Sequence, residues 1–203
     1  MKYVSIALDK SGPDPKTCCI LKMSAVIDDL KKQVPIDKLK IFEVYMKYTG
    51  PITGTIPNLI RYHSAIMAMQ DGAAGASERG EVRLIEPSNV SALFYTWLWE
   101  HYLNKSNNSP KICFNAAGKN FFDSDNLFLK ELPMWSSRID TEFSALDPSL
   151  DYLYPDKDES IPSFRVCLER AGLYDKEKEY DATERALAWV MLIRKKFPKA
   201  KQK

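Results

Sequence analysis

The chain has 203 residues, of which 45% are apolar, so it is long enough to bury one well-formed core. Its net charge of +2 and pI near 8.2 neither require nor exclude a nucleic-acid partner, because a local basic groove would suffice for binding. No apolar run approaches a membrane span, the residues before Asp9 are too few for a signal peptide, and the four cysteines lack zinc-ligand spacing. We therefore expect reduced thiols, no membrane partner and a cytoplasmic location.

The first part of the chain predicts three strands and a helix. Residues 3–8 form a short apolar run, a Gly-Pro-Asp-Pro turn follows, and residues 19–27 are rich in Ile, Leu and Val. Residues 39–48 alternate apolar and polar positions and are rich in β-branched and aromatic residues, which predicts the third strand. Helical spacing follows at 58–70, and the small, polar, glycine-rich segment 71–80 predicts a mobile loop.

The rest of the chain predicts alternating helices and strands. Helices are predicted from Pro87 to 103, and at 124–131, 163–171 and 181–197, with strands at 111–116 and 139–146. Together with the three antiparallel strands at the start, this order predicts an α/β protein with a mixed sheet that continues in parallel strands and is flanked by helices. No repeat or domain boundary is visible, so residues 1–198 form one predicted domain, and the lysine-rich residues 199–203 are expected to be disordered.

The segment that begins at residue 7 carries the first informative motif, and it reads Ala-Leu-Asp-Lys-Ser-Gly-Pro-Asp-Pro. It resembles the first motif of the 3′–5′ exonucleases of the proofreading type, the acidic-tetrad (DEDD) group. In that family an Asp, any residue and a Glu precede two small hydroxyl residues and a Gly-x-Asp-Pro turn. Here the turn is kept, Asp9 stands in place of the Glu, and Ala7 stands in place of the first Asp. Alanine has no oxygen that could bind a metal ion.

Residues 117–129 carry a second resemblance, and they read Ala-Gly-Lys-Asn-Phe-Phe-Asp-Ser-Asp-Asn-Leu-Phe-Leu. They are similar to the second motif of one branch of these exonucleases, and the alignment without a gap places Asp125 at the family's acidic position. Asp123 is expected to cap the following helix, where a negative charge is favourable. The resemblance covers about residues 3–197 and implies a ribonuclease H-like fold.

The third motif of the histidine branch is a His, four residues and an Asp on the last helix. In this chain Tyr180 stands in place of the His and Arg185 stands in place of the Asp. A sister branch uses a Tyr, three residues and an Asp, which Tyr180 and Glu184 imitate. On the last helix, Glu184 lies nearly opposite the apolar stripe and is expected to face solvent, whereas Arg185 lies at the edge of the stripe. The histidine-branch alignment is therefore preferred.

The resemblance implies hydrolysis by two metal ions about 4 Å apart, bridged by carboxylates. Two of the four acidic positions have lost their carboxylate, and a tyrosine hydroxyl is a poor general base for a water that no metal acidifies. We therefore expect no catalytic residue, no metal and no cofactor, with vestigial site positions at Ala7, Asp9, Asp125, Tyr180 and Arg185. The Arg185 guanidinium is expected to pair with Asp9, Asp125 or both in place of metal.

Three functions remain open at this point. The first is a catalytically inactive exonuclease-like protein that binds single-stranded DNA or RNA, or its 3′ end, with Lys10, Lys119 and Asn120 on phosphate or sugar. The second is a protein–protein interaction or scaffold module on the same fold, for which Trp99, the mobile loop predicted at 71–80 and the acidic loop 151–159 are candidate surfaces. The third is a divergent, weakly active exonuclease in which the residual candidates Asp9 and Asp125, together with Asp123 or Glu184, bind one Mg²⁺ or Mn²⁺ ion in a new arrangement.

Overall fold

A computed structural model describes residues 1–48, 56–70, 75–77, 80–103, 110–141 and 145–198. The strands in this part of the chain are β1 (Lys2–Lys10), β2 (Ile20–Asp29), β3 (Lys40–Met46), β4 (Gly75–Ser77), β5 (Gly80–Ile85), β6 (Ile112–Phe114), β7 (Ala116–Ala117) and β8 (Ile139–Thr141). The helices are α1 (Ile56–Gln70), α2 (Pro87–His101), α3 (Asp125–Lys130), α4 (Trp135–Arg138), α5 (Phe164–Ala171) and α6 (Ala182–Lys196). Across the described ranges, the helices are too short or too polar to span a membrane.

The first three strands form the predicted antiparallel start of the sheet. β1 pairs with β2 along its whole length, and β2 pairs on its other side with β3. Nearly every residue of β1 and β2 is buried, because helices cover both faces of these central strands. β3 alternates buried with more exposed residues, as its sequence pattern predicted.

Parallel strands extend this sheet on both sides. β5 pairs with β3 and β7 pairs with β1, which gives the strand order β4-β5-β3-β2-β1-β7. A separate parallel pair joins β6 to β8. The observed architecture is therefore the predicted α/β fold, a mixed sheet flanked by helices.

The segment 71–80 differs from the prediction of a loop. Its residues 75–77 form β4, and Gly80 begins β5, while residues 71–74 and 78–79 lie outside the described ranges. These small residues have no alternating pattern, and therefore they carry no strand signal. Pairing with neighbouring strands decides their conformation instead, because strand preference depends strongly on tertiary context.

The strand predicted at 111–116 is divided between two sheets. β6 pairs with β8, whereas β7 pairs with β1, and the chain changes partner at Asn115. The Asn115 side-chain amide donates to the Lys2 carbonyl at 3.3 Å, and its backbone N–H donates to the Tyr102 hydroxyl at 3.3 Å. These bonds satisfy polar groups at a point where the strand ladder is interrupted.

Two further predictions concern the second half of the chain. The strand predicted at 139–146 is reduced to β8 and an isolated parallel bridge between Ala117 and Leu146. Residues 142–144 lie outside the described part of the chain, and so does the tail 199–203 that was expected to be disordered.

Helices cover the two faces of the main sheet in different ways. On one face, α2 and α4 bring together an aromatic cluster in which Phe94 lies 5.1 Å from Phe42 and 5.3 Å from Trp135, measured between ring centroids. On the other face, α6 buries small and branched residues, including Ala186 and Val190, against β1 and β2. This packing brings the amino-terminal end of α6 to the carboxyl-terminal end of β1.

The far end of α6 is tied to the sheet by a buried carboxylate. Arg194 donates from Nε and Nη2 to the two oxygens of Asp28 at 3.0 and 2.6 Å, and the Tyr3 hydroxyl donates to the same carboxylate at 2.8 Å. Burial raises the pKa of Tyr3, and the neighbouring Asp28 charge raises it further. The tyrosine therefore stays protonated, and it remains a donor to Asp28.

Replacing Arg194 should expose the cost of that buried charge. The Asp28 side chain is 1% exposed, so Arg194→Met should lower the free energy of unfolding by about 3–5 kcal/mol. Urea unfolding would measure the loss as a shift in the midpoint at constant slope. Arg165→Met is the matched control, because Arg165 pairs with Glu169 on the surface and is 64% exposed. Equal effects of the two variants would contradict this account.

Candidate functional site

The site begins where β1 ends. The β1–β2 register is regular up to Asp9, which faces Lys22, and then shifts so that Lys10 faces Ile20. A bulge of this kind bends the strand end and changes the direction of its side chains. Asp9 is 7% exposed, so its carboxylate is a buried charge that needs partners.

Asp9 has partners on both oxygens. Oδ1 lies 2.8 Å from Nη2 of Arg185, and Oδ2 accepts a hydrogen bond from the backbone N–H of Ala182 at 2.7 Å. The Tyr62 hydroxyl of α1 also donates to Oδ2. The carboxylate therefore lies at the amino terminus of α6, where the helix dipole favours a negative charge.

Arg185 points into the site, as its position at the edge of the α6 stripe predicted. Its Nη2 donates to the Leu8 carbonyl at 2.8 Å in addition to the pair with Asp9, and its Nη1 donates to the Tyr180 carbonyl at 3.4 Å. The predicted ion pair with Asp9 is confirmed. Asp125 has a different cation, so one guanidinium does not serve both carboxylates.

Asp125 pairs with Lys10. It lies in the first turn of α3, and Nζ of Lys10 is 2.8 Å from its Oδ1. The same ammonium donates to Oγ of Ser124 at 2.7 Å and lies 4.9 Å from the centroid of the Phe128 ring. In this structure Lys10 is the counterion of Asp125, and its predicted contact with phosphate stays a prediction.

Ala7 is part of an apolar cluster. It is 3% exposed and packs with Ala182 and Ala186 of α6. A carboxylate at this position would lose its hydration among methyl groups, which is costly unless a cation accompanies it. The alanine therefore suits the close packing of α6 on β1.

Two predicted orientations near α6 and α3 are corrected by the structure. Glu184, expected to face solvent, has a side chain only 16% exposed, because it pairs with Lys178 from the preceding loop. Asp123, expected to cap α3, is exposed and lies before Ser124, which occupies the N-cap position. In both cases the loop before the helix decides the contact, and helical spacing contains no information about that loop.

Tyr180 is half-buried in an aromatic group on the α5 side of α6. Its hydroxyl donates to the Leu173 carbonyl at 3.5 Å and accepts from the N–H of Asp175 at 3.1 Å, and its ring packs edge-on against Phe164. The side chain thus supports the loop between α5 and α6, and in the described part of the chain its hydroxyl bonds to this loop.

Lys119 and Asn120 lie in the turn after β7. Nζ of Lys119 donates to the Pro162 carbonyl at 2.8 Å, which ties this turn to the loop before α5. Asn120 is exposed with φ of 48°, and its N–H donates to Asp147 at 3.0 Å. Gly118 is needed beside them, because a Cβ at that position would lie 3.1 Å from the Ile6 carbonyl oxygen.

Lys22 and Tyr62 are the site residues that sequence reasoning missed. Lys22 is 2% exposed, and its Nζ lies 2.6 Å from Glu43 on β3 and 2.6 Å from Asp181, the N-cap residue of α6. Burial opposes its charge, but hydrogen bonds to Asp181 and Glu43 outweigh burial and raise the pKa of Lys22. A lysine inside the apolar run of β2 was a usable signal, whereas nothing distinguishes Tyr62 from an ordinary core tyrosine.

The donor set does not fit a two-metal centre. Two metal ions need several carboxylates converging on shared positions. Among the described residues, no three His, Cys, Asp or Glu side chains are grouped so that they could hold an ion. Asp9 and Asp125, the two remaining acidic positions, each have a cationic side chain within 2.8 Å.

The fold is that of the ribonuclease H-like exonucleases. A structure of E. coli exonuclease I in complex with a 5cy-dT13 oligonucleotide superposes with a TM-score of 0.55 at 13% identity, covering 94% of this chain and 39% of that chain. Exonuclease I from Methylocaldum szegediense gives a TM-score of 0.55 at 14% identity, covering 98% and 41%. No family model and no curated protein sequence matches the chain.

The zinc-bound form of the E. coli exonuclease I–ssDNA complex is also similar, with a TM-score of 0.52 at 13% identity over 98% of this chain and 41% of that one. At these identities the likeness concerns the fold alone. The chain spans about two fifths of the length of these exonucleases.

Removing the Arg185 charge should destabilise the protein. Arg185→Met leaves the buried Asp9 without its cation, so the free energy of unfolding should fall by about 1–3 kcal/mol. Arg185→Asp should cost more, because it adds a second negative charge beside Asp9. Arg185→Lys, which keeps the charge but loses the forked donor geometry, should lie between the wild type and the methionine variant. Chemical denaturation of the three variants tests the order, and a methionine variant as stable as the wild type would refute it.

Proposed function

We propose that this chain is a catalytically inactive relative of the histidine-branch 3′–5′ exonucleases that binds single-stranded nucleic acid, or its 3′ end, through the inherited groove. The observation that carries the proposal is the ion pair between Arg185 and Asp9. The Arg185 side chain takes the position from which an active member of the family would direct a carboxylate toward a metal ion.

The inactivity follows from what hydrolysis requires. A water molecule must be activated and the charge on the leaving oxygen must be stabilised, and in this class of reaction metal ions supply both. Ala7 has no ligand atom, and the carboxylates of Asp9 and Asp125 are already neutralised by Arg185 and Lys10. The Tyr180 hydroxyl is bound to the α5–α6 loop, so it is poorly placed to act as a base.

Binding of a single strand is supported by the fold and by the residues around this end of the sheet. The structural neighbours include exonuclease I bound to dT13 and dA16 oligonucleotides. Here Lys10 is the last residue of β1, and Lys119 and Asn120 lie in the turn after the parallel strand β7, at the same end of the sheet as Asp9. Their proposed role is to contact phosphate and sugar, which positions a strand without reading its sequence.

The absence of exonuclease activity can be tested directly. A 5′-labelled single strand incubated with the protein and Mg²⁺ or Mn²⁺ should keep its full length, because the donor set for two metals is incomplete. Progressive 3′ shortening that requires Mn²⁺ and is lost in Asp125→Asn would refute the proposal and support a divergent active enzyme. The Asp125→Asn control separates the protein's own activity from a contaminating nuclease.

Binding should be weak and electrostatic. The net charge is only +2, and the proposed contact residues include two cations, Lys10 and Lys119, so log affinity for a single strand should fall against log salt with a slope of about −1.4. Lys119→Ala should make the slope shallower by the amount that corresponds to about one phosphate contact. Lys32 is an exposed lysine after β2, and Lys32→Ala should leave the slope unchanged. Anisotropy of a labelled oligo-dT at several salt concentrations measures this. If Lys119→Ala and Lys32→Ala behave alike, the groove is not the binding surface.

A protein-interaction module on the same fold is a second candidate function. Two features of α2 favour it. Trp99 is 40% exposed. Separately, a cavity of about 460 Å³ lies between α2 and β3 and is lined by residues that include Trp97 and Leu93. Exposed tryptophans are enriched in protein interfaces. Retention of partner proteins by the wild type but not by Trp99→Ala, together with no binding of oligonucleotides, would favour this function over the first.

A further inference from the structure

The two residual carboxylates are electrically balanced within the chain. Asp9 and Asp125 contribute two negative charges, while Arg185 and Lys10, each within 2.8 Å of one of them, contribute two positive charges. The acidic tetrad that the family resemblance implies would place four negative charges here without metal. A phosphate would be repelled by such a cluster, whereas here each of these two carboxylates has a cation of its own.

Lys10 is a positioned cation. Its ammonium contacts Oδ1 of Asp125 and Oγ of Ser124, and it lies over the Phe128 ring. Its side chain is 19% exposed. These contacts come from one end of α3, so the position of the charge is fixed by the same helix that presents Asp125. A point charge held in this way can neutralise the Asp125 carboxylate, as a bound cation would.

Lys10 and Arg185 protect carboxylates of different accessibility. Asp9 is 7% exposed and also binds Tyr62 and the N–H of Ala182, so solvent ions have little access to it. Asp125 is 18% exposed, and Lys10 and Ser124 are its side-chain partners. Loss of Lys10 would therefore leave a carboxylate that a strand approaching the groove can meet and a divalent ion can reach.

We infer that Lys10 is a built-in replacement for the metal ion at Asp125 and makes binding of the strand independent of divalent metal. The inference rests on the proposed binding function and adds to it the residue that determines its metal response. The site would bind a phosphodiester in the presence of a chelator. The affinity for the strand would depend on Mg²⁺ only after Lys10 is removed.

The test compares anisotropy of a fluorescein-labelled oligo-dT in EDTA and in MgCl₂ at equal ionic strength. Wild-type affinity should be the same in both buffers. Lys10→Ala should bind about tenfold more weakly in EDTA, because Asp125 now faces the phosphate unneutralised, and MgCl₂ should recover most of that loss. The double variant Lys10→Ala with Asp125→Asn should lose the Mg²⁺ response, because the carboxylate that recruits the ion is gone.

Two controls separate this effect from general charge loss and misfolding. Lys10→Arg should keep metal-independent binding, and Lys32→Ala should show no Mg²⁺ response. Melting temperature provides a readout that does not need nucleic acid: Mn²⁺ should leave the wild type unchanged and should raise the melting temperature of Lys10→Ala.

The possible failures are distinguishable. Stronger wild-type binding in MgCl₂ than in EDTA, or a Lys10→Ala variant that responds to neither Mg²⁺ nor Mn²⁺, would overturn the inference. If no variant binds the oligonucleotide, the proposed function fails, but the Mn²⁺ effect on the melting temperature of Lys10→Ala still decides whether Lys10 stands in for a metal.

Discussion

The buried carboxylate of Asp9 is the constraint on which the rest of the site depends. A charge at 7% exposure is tolerated only when its oxygens are satisfied, and its three partners come from two helices: Arg185 and Ala182 belong to α6, and Tyr62 belongs to α1. Meeting this requirement fixes the amino terminus of α6 at the end of β1 and brings α1 over the same point. The geometry of the site is therefore also part of what holds the helices on the sheet.

Both ends of α6 are held by charged groups, and an apolar stripe lies between them. At the amino end Lys22 binds the N-cap residue Asp181, and at the carboxyl end Arg194 binds Asp28. Such pairs add little net stability on their own, because removing two charges from water costs about as much as their attraction returns. They do penalise any shift of the helix along the sheet, since a shift would separate buried partners. The apolar contacts supply stability, and the ionic contacts specify the register.

Much of the fold could be predicted from the sequence, because its signals are local. The three opening strands have apolar runs broken by a Gly-Pro-Asp-Pro turn, and α5 lies between a Ser163 cap and Gly172 in the left-handed conformation. β4 could not be predicted, because its residues Gly-Ala-Ser at 75–77 have no alternating pattern and acquire their conformation from strand pairing. β5 was missed although residues 81–84, Glu-Val-Arg-Leu, alternate polar and apolar side chains. In the site, helical spacing located Arg185 correctly. It could not show that Lys10 turns to Asp125, since that contact depends on where β1 and α3 meet in three dimensions.

The charges at the site are coupled, and this coupling limits how single substitutions can act. A carboxylate introduced at position 7 would lie in the apolar cluster that contains Ala182 and Ala186, next to Asp9, which already pairs with Arg185. A carboxylate restored at 185 would remove the only guanidinium bonded to Asp9 within the described contacts. Neither change would release Asp125, which Lys10 holds separately. The charged side chains of the site therefore depend on one another, because Asp9 and Asp125 are each neutralised by a cation of the same chain. Variants that add carboxylates at positions 7 and 185 would bring buried acids together with neither cation nor ion between them, and such uncompensated buried charges are strongly destabilising.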